Sequence, residues 1–199
     1  MPEAVWKRTR WLMQRSLVMT VIGRDRPGLV ESVAELVAAH GGNWLESRMS
    51  RLGGQFAGIL RVEVAEEKKA DLASALKKLE TRGLAIVVQP DVTESAPEGD
   101  RLSVLEIVGQ DRPGIVRQIS GVLARQGVNV EELQTECASA AMSGETLFKA
   151  RATLKIPESC DTGALRRELE RIASDLIVEI SLAELPASPP LAPARAKGR

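Results

Sequence analysis

Apolar and polar positions change rhythm along this chain in a fixed order, and that order occurs twice. Ser16 to Gly23 is β-branched and apolar and predicts a buried strand. Val30, Val33, Ala34 and Val37 then recur at helical spacing and predict one apolar helix face. Pro27 pre-sets the start of that helix, with Asp25 as the cap just before it, and Gly41-Gly42 ends it. Asn43 to Leu52 alternates Leu45, Ser47, Met49 and Arg51 against Trp44, Glu46, Arg48 and Ser50, which predicts a strand, placed at an edge by its charges. Gly53-Gly54 is a turn signal, and Gln55 to Val64 returns as a third strand. Leu72, Leu76 and Leu79 mark a second helix, closed by Gly83, and Leu84 to Val88 is a fourth strand.

The second occurrence is carried by a repeated segment. Val21-Ile22-Gly23-Arg24-Asp25-Arg26-Pro27-Gly28-Leu29-Val30 returns as Ile107-Val108-Gly109-Gln110-Asp111-Arg112-Pro113-Gly114-Ile115-Val116. The match continues through Val33 and Ile119, Gly41 and Gly127, and Asn43 and Asn129. An extra stretch in the second copy, Ala138 to Ser143, belongs to a connection, where insertions are tolerated. The second copy thus predicts strands at 102–108, 129–137, 146–156 and 176–183, with helices at 113–126 and from Asp161 or Thr162. The order β-α-β-β-α-β predicts an α+β fold: two ferredoxin-like domains in tandem, each with its helices on one face of an antiparallel sheet. The domains span 16–90 and 101–184, joined by a Pro- and Gly-containing linker at 91–100. Residues 1–15 form an N-terminal arm, read as a segment packed on the body or as a partner contact. Residues 185–199 form a disordered, proline-rich basic tail. The free sheet faces and edges need cover, from the other copy or from a second chain.

Composition narrows the function. The 199 residues hold 27 acidic against 27 basic side chains and no tyrosine, which argues against a nucleic-acid surface. No apolar run approaches a membrane span, and Trp11-Leu12-Met13 is too short for a signal sequence, so a cytoplasmic setting is expected. Cys137 and Cys160 have no metal spacing and read as free thiols, both inert, although the helix start after Cys160 would lower its pKa slightly. His40, the only histidine, suits a helix C-terminus as a cap or surface residue. No nucleophile motif, zinc motif or P-loop is present, so neither catalysis, a metal nor a cofactor is expected. The charge runs around Lys77 and Arg167 mix both signs and read as solvated helix faces.

The repeated turn is the candidate site. A first helical turn leaves backbone N–H groups without partners at the positive end of the helix dipole, and a carboxylate is stabilised there without any lysine. Gly28 and Gly114 lack a Cβ and let a ligand come close. Asn43 and Asn129 open the next strand, beside this turn, and Asp25 and Asp111 offer a carboxylate to an ammonium. Together these groups supply what a free amino acid requires. Turn chemistry accounts for each residue equally well: Pro-Gly as a helix start, Asp as a cap, Asn after Gly. Both accounts fit the spacing.

Gly-x-Asp-Arg-Pro-Gly-Leu/Ile-Val after a first strand, with Asn opening the second, resembles the ACT domain, and the resemblance covers both copies. A tandem pair with little else is similar to the glycine cleavage system transcriptional repressor family. That resemblance implies a regulatory protein that binds an amino acid, glycine or serine among the candidates, where two such domains meet. It implies ligand contacts at Asp25, Gly28, Leu29 and Asn43, and at Asp111, Gly114, Ile115 and Asn129. It also implies regulation through a partner protein rather than by direct DNA binding, and a homo-oligomer. A ligand-free oligomerisation module is the alternative.

Overall fold

The structure, a computed structural model, describes residues 14–92, 99–139 and 145–185. Nearly all of the N-terminal arm with its two tryptophans, linker residues 93–98, residues 140–144 and the tail from 186 lie outside the described residues. The chain divides into two compact units, residues 1–94 and 95–199.

In the first unit β1 is Gln14–Arg24, α1 Leu29–Ala39, β2 Asn43–Leu52, β3 Gln55–Ala65, α2 Lys69–Lys77 and β4 Leu84–Pro90. Short 3-10 turns, Glu66–Lys68 and Lys78–Arg82, extend α2 at both ends. The second unit repeats the order with β5 Arg101–Gln110, α3 Ile115–Arg125, β6 Asn129–Ser139, β7 Thr146–Ile156, α4 Thr162–Leu176 and β8 Val178–Glu184. The sheets run β2-β3-β1-β4 and β6-β7-β5-β8, with every pairing antiparallel. This is the ferredoxin-like α+β arrangement, and β2 stands at an edge as its charges require.

Alternation places one side of each strand under the helices. Leu17, Met19 and Val21 of β1 are buried, opposite Val62, Leu60 and Gly58 of β3. Leu72, Leu76 and Leu79 close over them, and each such side chain contributes roughly 2 kcal/mol through lost apolar surface. The α1 stripe differs from the predicted one. Leu29, Val33 and Val37 are buried, whereas Val30 is 46% exposed. The buried row runs i, i+4, i+8 through Leu29, Val33 and Val37, and Val30 lies one residue round the helix from it. In the second unit α3 buries Ile115, Ile119, Val122 and Leu123, and α4 buries Leu165, Leu169, Ile172 and Leu176. Arg125 and Gln126 at the end of α3 both donate to Glu168 of α4, at 3.1 and 2.9 Å, and hold its carboxyl below the usual range.

Two predicted details change. The alternation in β2 breaks at a bulge between Trp44 and Glu46, so Trp44 shares the core side with Met49 while Leu45 is left out. The extra stretch in the second copy does not begin as a connection, since Ala138 and Ser139 still pair with Leu147 and Thr146.

The cap of α4 gives a pH signature. Asp161 accepts from Ala164 and Gly163 backbone N–H groups at 3.0 and 2.8 Å, and these bonds hold its carboxyl below the ordinary value. A depressed folded pKa gives stability that is present above the unfolded pKa and lost as pH falls through the folded one. Asp161→Ala is therefore expected to lower the thermal midpoint of the second unit at pH 7, and to lower it progressively less as the pH falls below the ordinary carboxylate range. Asp161→Asn, which keeps the acceptor and cannot be protonated, should sit close to the parent at pH 7 and lose less of its midpoint than the parent in acid.

Candidate functional site

Each site is the turn between the first strand and first helix of a unit. In the first unit the chain leaves β1 at Arg24, and the Asp25 N–H donates to the carbonyl of Gly54 in the β2–β3 hairpin at 3.0 Å. The Asp111 N–H does the same to Thr146 at 3.0 Å. Gly28 then turns with φ +86° and Gly114 with φ +99°, in the left-handed region that disfavours any side chain. These glycines, rather than the two aspartates, occupy the cap positions, so the expected Asp25 cap is absent. Ser32 N–H and Gln118 N–H are the first to bond back, to Gly28 and Gly114 carbonyls at 3.0 Å. The amides of Leu29, Val30 and Glu31, and of Ile115, Val116 and Arg117, therefore precede the helical ladder. Their side chains divide the roles: Leu29 and Ile115 are core residues, so only their backbone faces the turn.

The space over the glycines is open. A Cβ on Gly28 would meet only Glu31 Oε2, at 3.8 Å, and one on Gly114 only Gln118 Nε2, at 4.0 Å. The first glycine of the motif has a different reason. A Cβ on Gly23 would stand 2.4 Å from the Gly83 carbonyl, and one on Gly109 2.8 Å from the Ile177 carbonyl.

The expectation that the asparagines lie beside the turn is overturned by register. Asn43 and Ser16 both sit opposite Glu63, whereas the turn leaves β1 at Arg24, opposite Gln55. Asn129 and Leu102 likewise share Lys155, while Gln110 sits opposite Leu147. Both β1 and β2 run antiparallel to β3, so they are parallel to each other, and β2 starts where β1 starts. Eight strand steps, about 25 Å, separate Asn43 from the turn in its own domain. Asn129 instead donates to Glu131 at 2.7 Å. Within one domain the structure brings Asp25, Gly28 and the Leu29 amide together, and Asp111, Gly114 and the Ile115 amide, without the asparagines.

The two turns also differ in charge, through residues the repeat does not single out. Arg51 of β2 holds Asp25 in an ion pair at 2.6 Å. The register that puts Arg51 opposite Phe56 puts Cys137 opposite Phe148, so the second copy has a thiol there, and Asp111 is in no ion pair among the described residues. The first turn of α1 holds Glu31, while the matching place in α3 is Arg117. Arg26 donates to the Arg82 carbonyl at 2.8 Å, and Arg112 to Gln110 at 3.0 Å. The first turn is thus tied and acidic. The second has Asp111 in no ion pair among the described residues, three amides that precede the helical ladder, and a basic residue, Arg117, in its first turn.

The remaining candidates take ordinary places. His40 Nδ1 lies 2.7 Å from the Leu36 carbonyl and caps α1. Cys160 is in the core, and burial pushes its thiol up, which overturns the expected lowering by the helix start. Cys137 is exposed. A thiol-reactive chromophore should therefore titrate one cysteine in the native protein and two in denaturant, with Cys137→Ser removing the native signal. Among the described residues no helix is long and apolar enough to cross a membrane, and no group of three metal-ligating side chains occurs.

A family model described as the ACT domain matches residues 15–89, and a second ACT-domain model matches 103–148. The glycine cleavage system transcriptional repressor of Escherichia coli is 22% identical over 170 residues, covering 85% of this chain and 90% of that protein. A UPF0237 protein of Methanocaldococcus jannaschii is 33% identical over 73 residues, covering 37% of this chain and 80% of that one. A crystal structure of a protein from Galdieria sulphuraria superposes with a TM-score of 0.79 at 30% identity, over 87% of this chain and 99% of that one.

Proposed function

The chain belongs to the ACT-domain family as a tandem pair, and from that premise we propose that it is a non-enzymatic cytoplasmic regulator whose domains respond to a free amino acid. The observation that carries this reading is the second turn. The Ile115, Val116 and Arg117 amides precede the helical ladder, Asp111 in the same turn is in no ion pair among the described residues, and the space over Gly114 is open. A zwitterion fits that set: its carboxylate on the amides at the positive end of α3, its ammonium on Asp111. Glu31 and the Arg51 pair make the first turn the poorer receptor of the two. Asn43 and Asn129 take part only where the strand-start end of one domain meets the turn of another, which suits a ligand held between two ACT domains.

Likeness to the E. coli repressor over most of both lengths supports a role in transcriptional control of glycine cleavage or related amino-acid metabolism. Balanced charge favours action through a protein partner over direct DNA contact. A ligand regulates by binding one state of such an assembly better than another. Calorimetry of the whole chain against glycine and serine tests the reading: saturable heat with either supports it, and no heat with these or the other common amino acids removes its ligand half.

One observation favours a second reading, a ligand-free interaction module. Positive φ at Gly28 and the Asp25–Arg51 pair explain the first turn without any ligand.

A further inference from the structure

The side of each sheet turned away from its helices differs sharply between the two copies. In the first unit Thr20 of β1 sits between Ile59 of β3 and Val87 of β4, and Ile22 sits between Ala57 and Ala85. Ile22 is 54% exposed, Ile59 54% and Val87 55%. The matching rows of the second unit read Arg151, Glu106, Ser181 and Lys149, Val108, Glu179. There the charges pair across strands, Arg151 with Glu106 and Lys149 with Glu136. One copy thus carries a solvated outer face, and the other carries contiguous apolar surface on the order of 300 Å², at a position where the same fold tolerates charge.

The pattern of sizes says what covers it. One row is large, small, large across β3, β1 and β4; the next is small, large, small. A twofold axis in the plane of the face, lying between the two rows and parallel to them, lays each row over the other. Ile22 of one chain then enters the gap over Thr20 of the other, between Ile59 and Val87, while Ile59 and Val87 seat over Ala57 and Ala85. Every large side chain meets a small one, and each contact occurs twice, as an isologous interface requires. The two patches bring about 600 Å² of apolar surface, the dry centre of an interface whose polar rim supplies the remainder of a standard-sized contact. The geometry points to the outer sheet face of the first domain as a homodimer interface, occupied by the same face of a second copy. This inference stands independently of any amino-acid ligand.

The test is sedimentation equilibrium of the full chain between roughly 1 and 100 µM, the range over which interfaces of this size associate. The parent should dimerise. Ile22→Asp should weaken the dimer by about a hundredfold or more, because an unpaired carboxylate would be buried at the centre. Val108→Asp, at the matching place in the second domain, should leave it unchanged. Thr20→Ile should weaken it by facing two isoleucines across the axis, and Thr20→Ile with Ile22→Thr should restore it, since the double variant again sets one large side chain over one small one at β1. A parent that stays monomeric at the top concentration overturns the proposal, in favour of a different protein or another segment of this chain as the cover. A dimer indifferent to Ile22→Asp and Thr20→Ile overturns it equally. Circular dichroism of each variant separates lost association from lost folding.

Discussion

Gly23→Ala is expected to destabilise the first domain by roughly 3 kcal/mol, at the upper end of overpacking costs. The new methyl would stand 2.4 Å from the carbonyl of Gly83 and 3.3 Å from Leu84 Cα, and backbone cannot rotate away as a side chain can. Relief requires β4 and the end of the helix before it to move off β1, which breaks the Gly23–Leu84 end of the β1–β4 ladder. Gly109→Ala should act the same way in the second domain, against the Ile177 carbonyl and Val178 Cα, both at 2.8 Å. A domain this small holds on the order of 5–10 kcal/mol in all, so either change should drop its midpoint by about 15 °C. Gly121→Ala is the control. It lies inside α3 with only the end of Arg125 nearby, at 3.5 Å, and should stabilise by up to about 1 kcal/mol through helix propensity. Thermal denaturation of the three variants checks the ordering. A Gly23→Ala protein as stable as the parent would mean that the close approach of β1 to Gly83 has no energetic weight.

That glycine shows where sequence reading succeeds and where it stops. The element order, both helix faces from Val33 and Ile119 onward, and the edge position of β2 all follow from local periodicity, which adjacent residues carry in full. The tandem ACT identity follows from the repeated motif. The reason for Gly23 does not, because its neighbour is Gly83, far off in sequence and brought close only by the β1–β4 pairing. The same holds for Asn43. Its place at the start of β2 is correct, but the end of the sheet at which β2 starts depends on β1 and β2 being parallel, a property of topology and not of spacing. Arg51 and Cys137 are invisible as site residues for a related reason: only the hairpin register sets Arg51 against Asp25 and puts Cys137 at the matching place in the second copy. Ile177 departs from the repeat altogether. It takes φ +57° where the first copy has Gly83, and no local pattern announces a β-branched residue in that conformation.

Asp111→Asn is expected to weaken amino-acid binding by about ten- to a hundredfold, while Asp25→Asn changes it by less than about threefold. A charge-assisted hydrogen bond to an ammonium is worth about 1.5–3 kcal/mol, and tenfold in affinity is about 1.4 kcal/mol. Asp25 already spends its carboxylate on Arg51, whereas Asp111 has no such partner among the described residues. Arg117→Glu should lose a comparable factor, since it gives α3 the acidic first turn that α1 already has in Glu31 and sets a like charge against the incoming carboxylate. Replacing Gly114 by a bulky residue is the less informative variant. At φ +99° any side chain strains the turn, so loss of binding would not separate a blocked ligand from a displaced helix start. The carboxylate substitutions leave the backbone alone. Calorimetry with glycine and serine on these three variants thus distinguishes three cases. Loss confined to Asp111→Asn and Arg117→Glu assigns the ligand to the second turn. Loss confined to Asp25→Asn assigns it to the first and refutes the electrostatic ranking of the two turns. Equal heats in all variants place the amino acid elsewhere on the chain, and leave both turns as the plain helix starts that Pro-Gly chemistry alone would build.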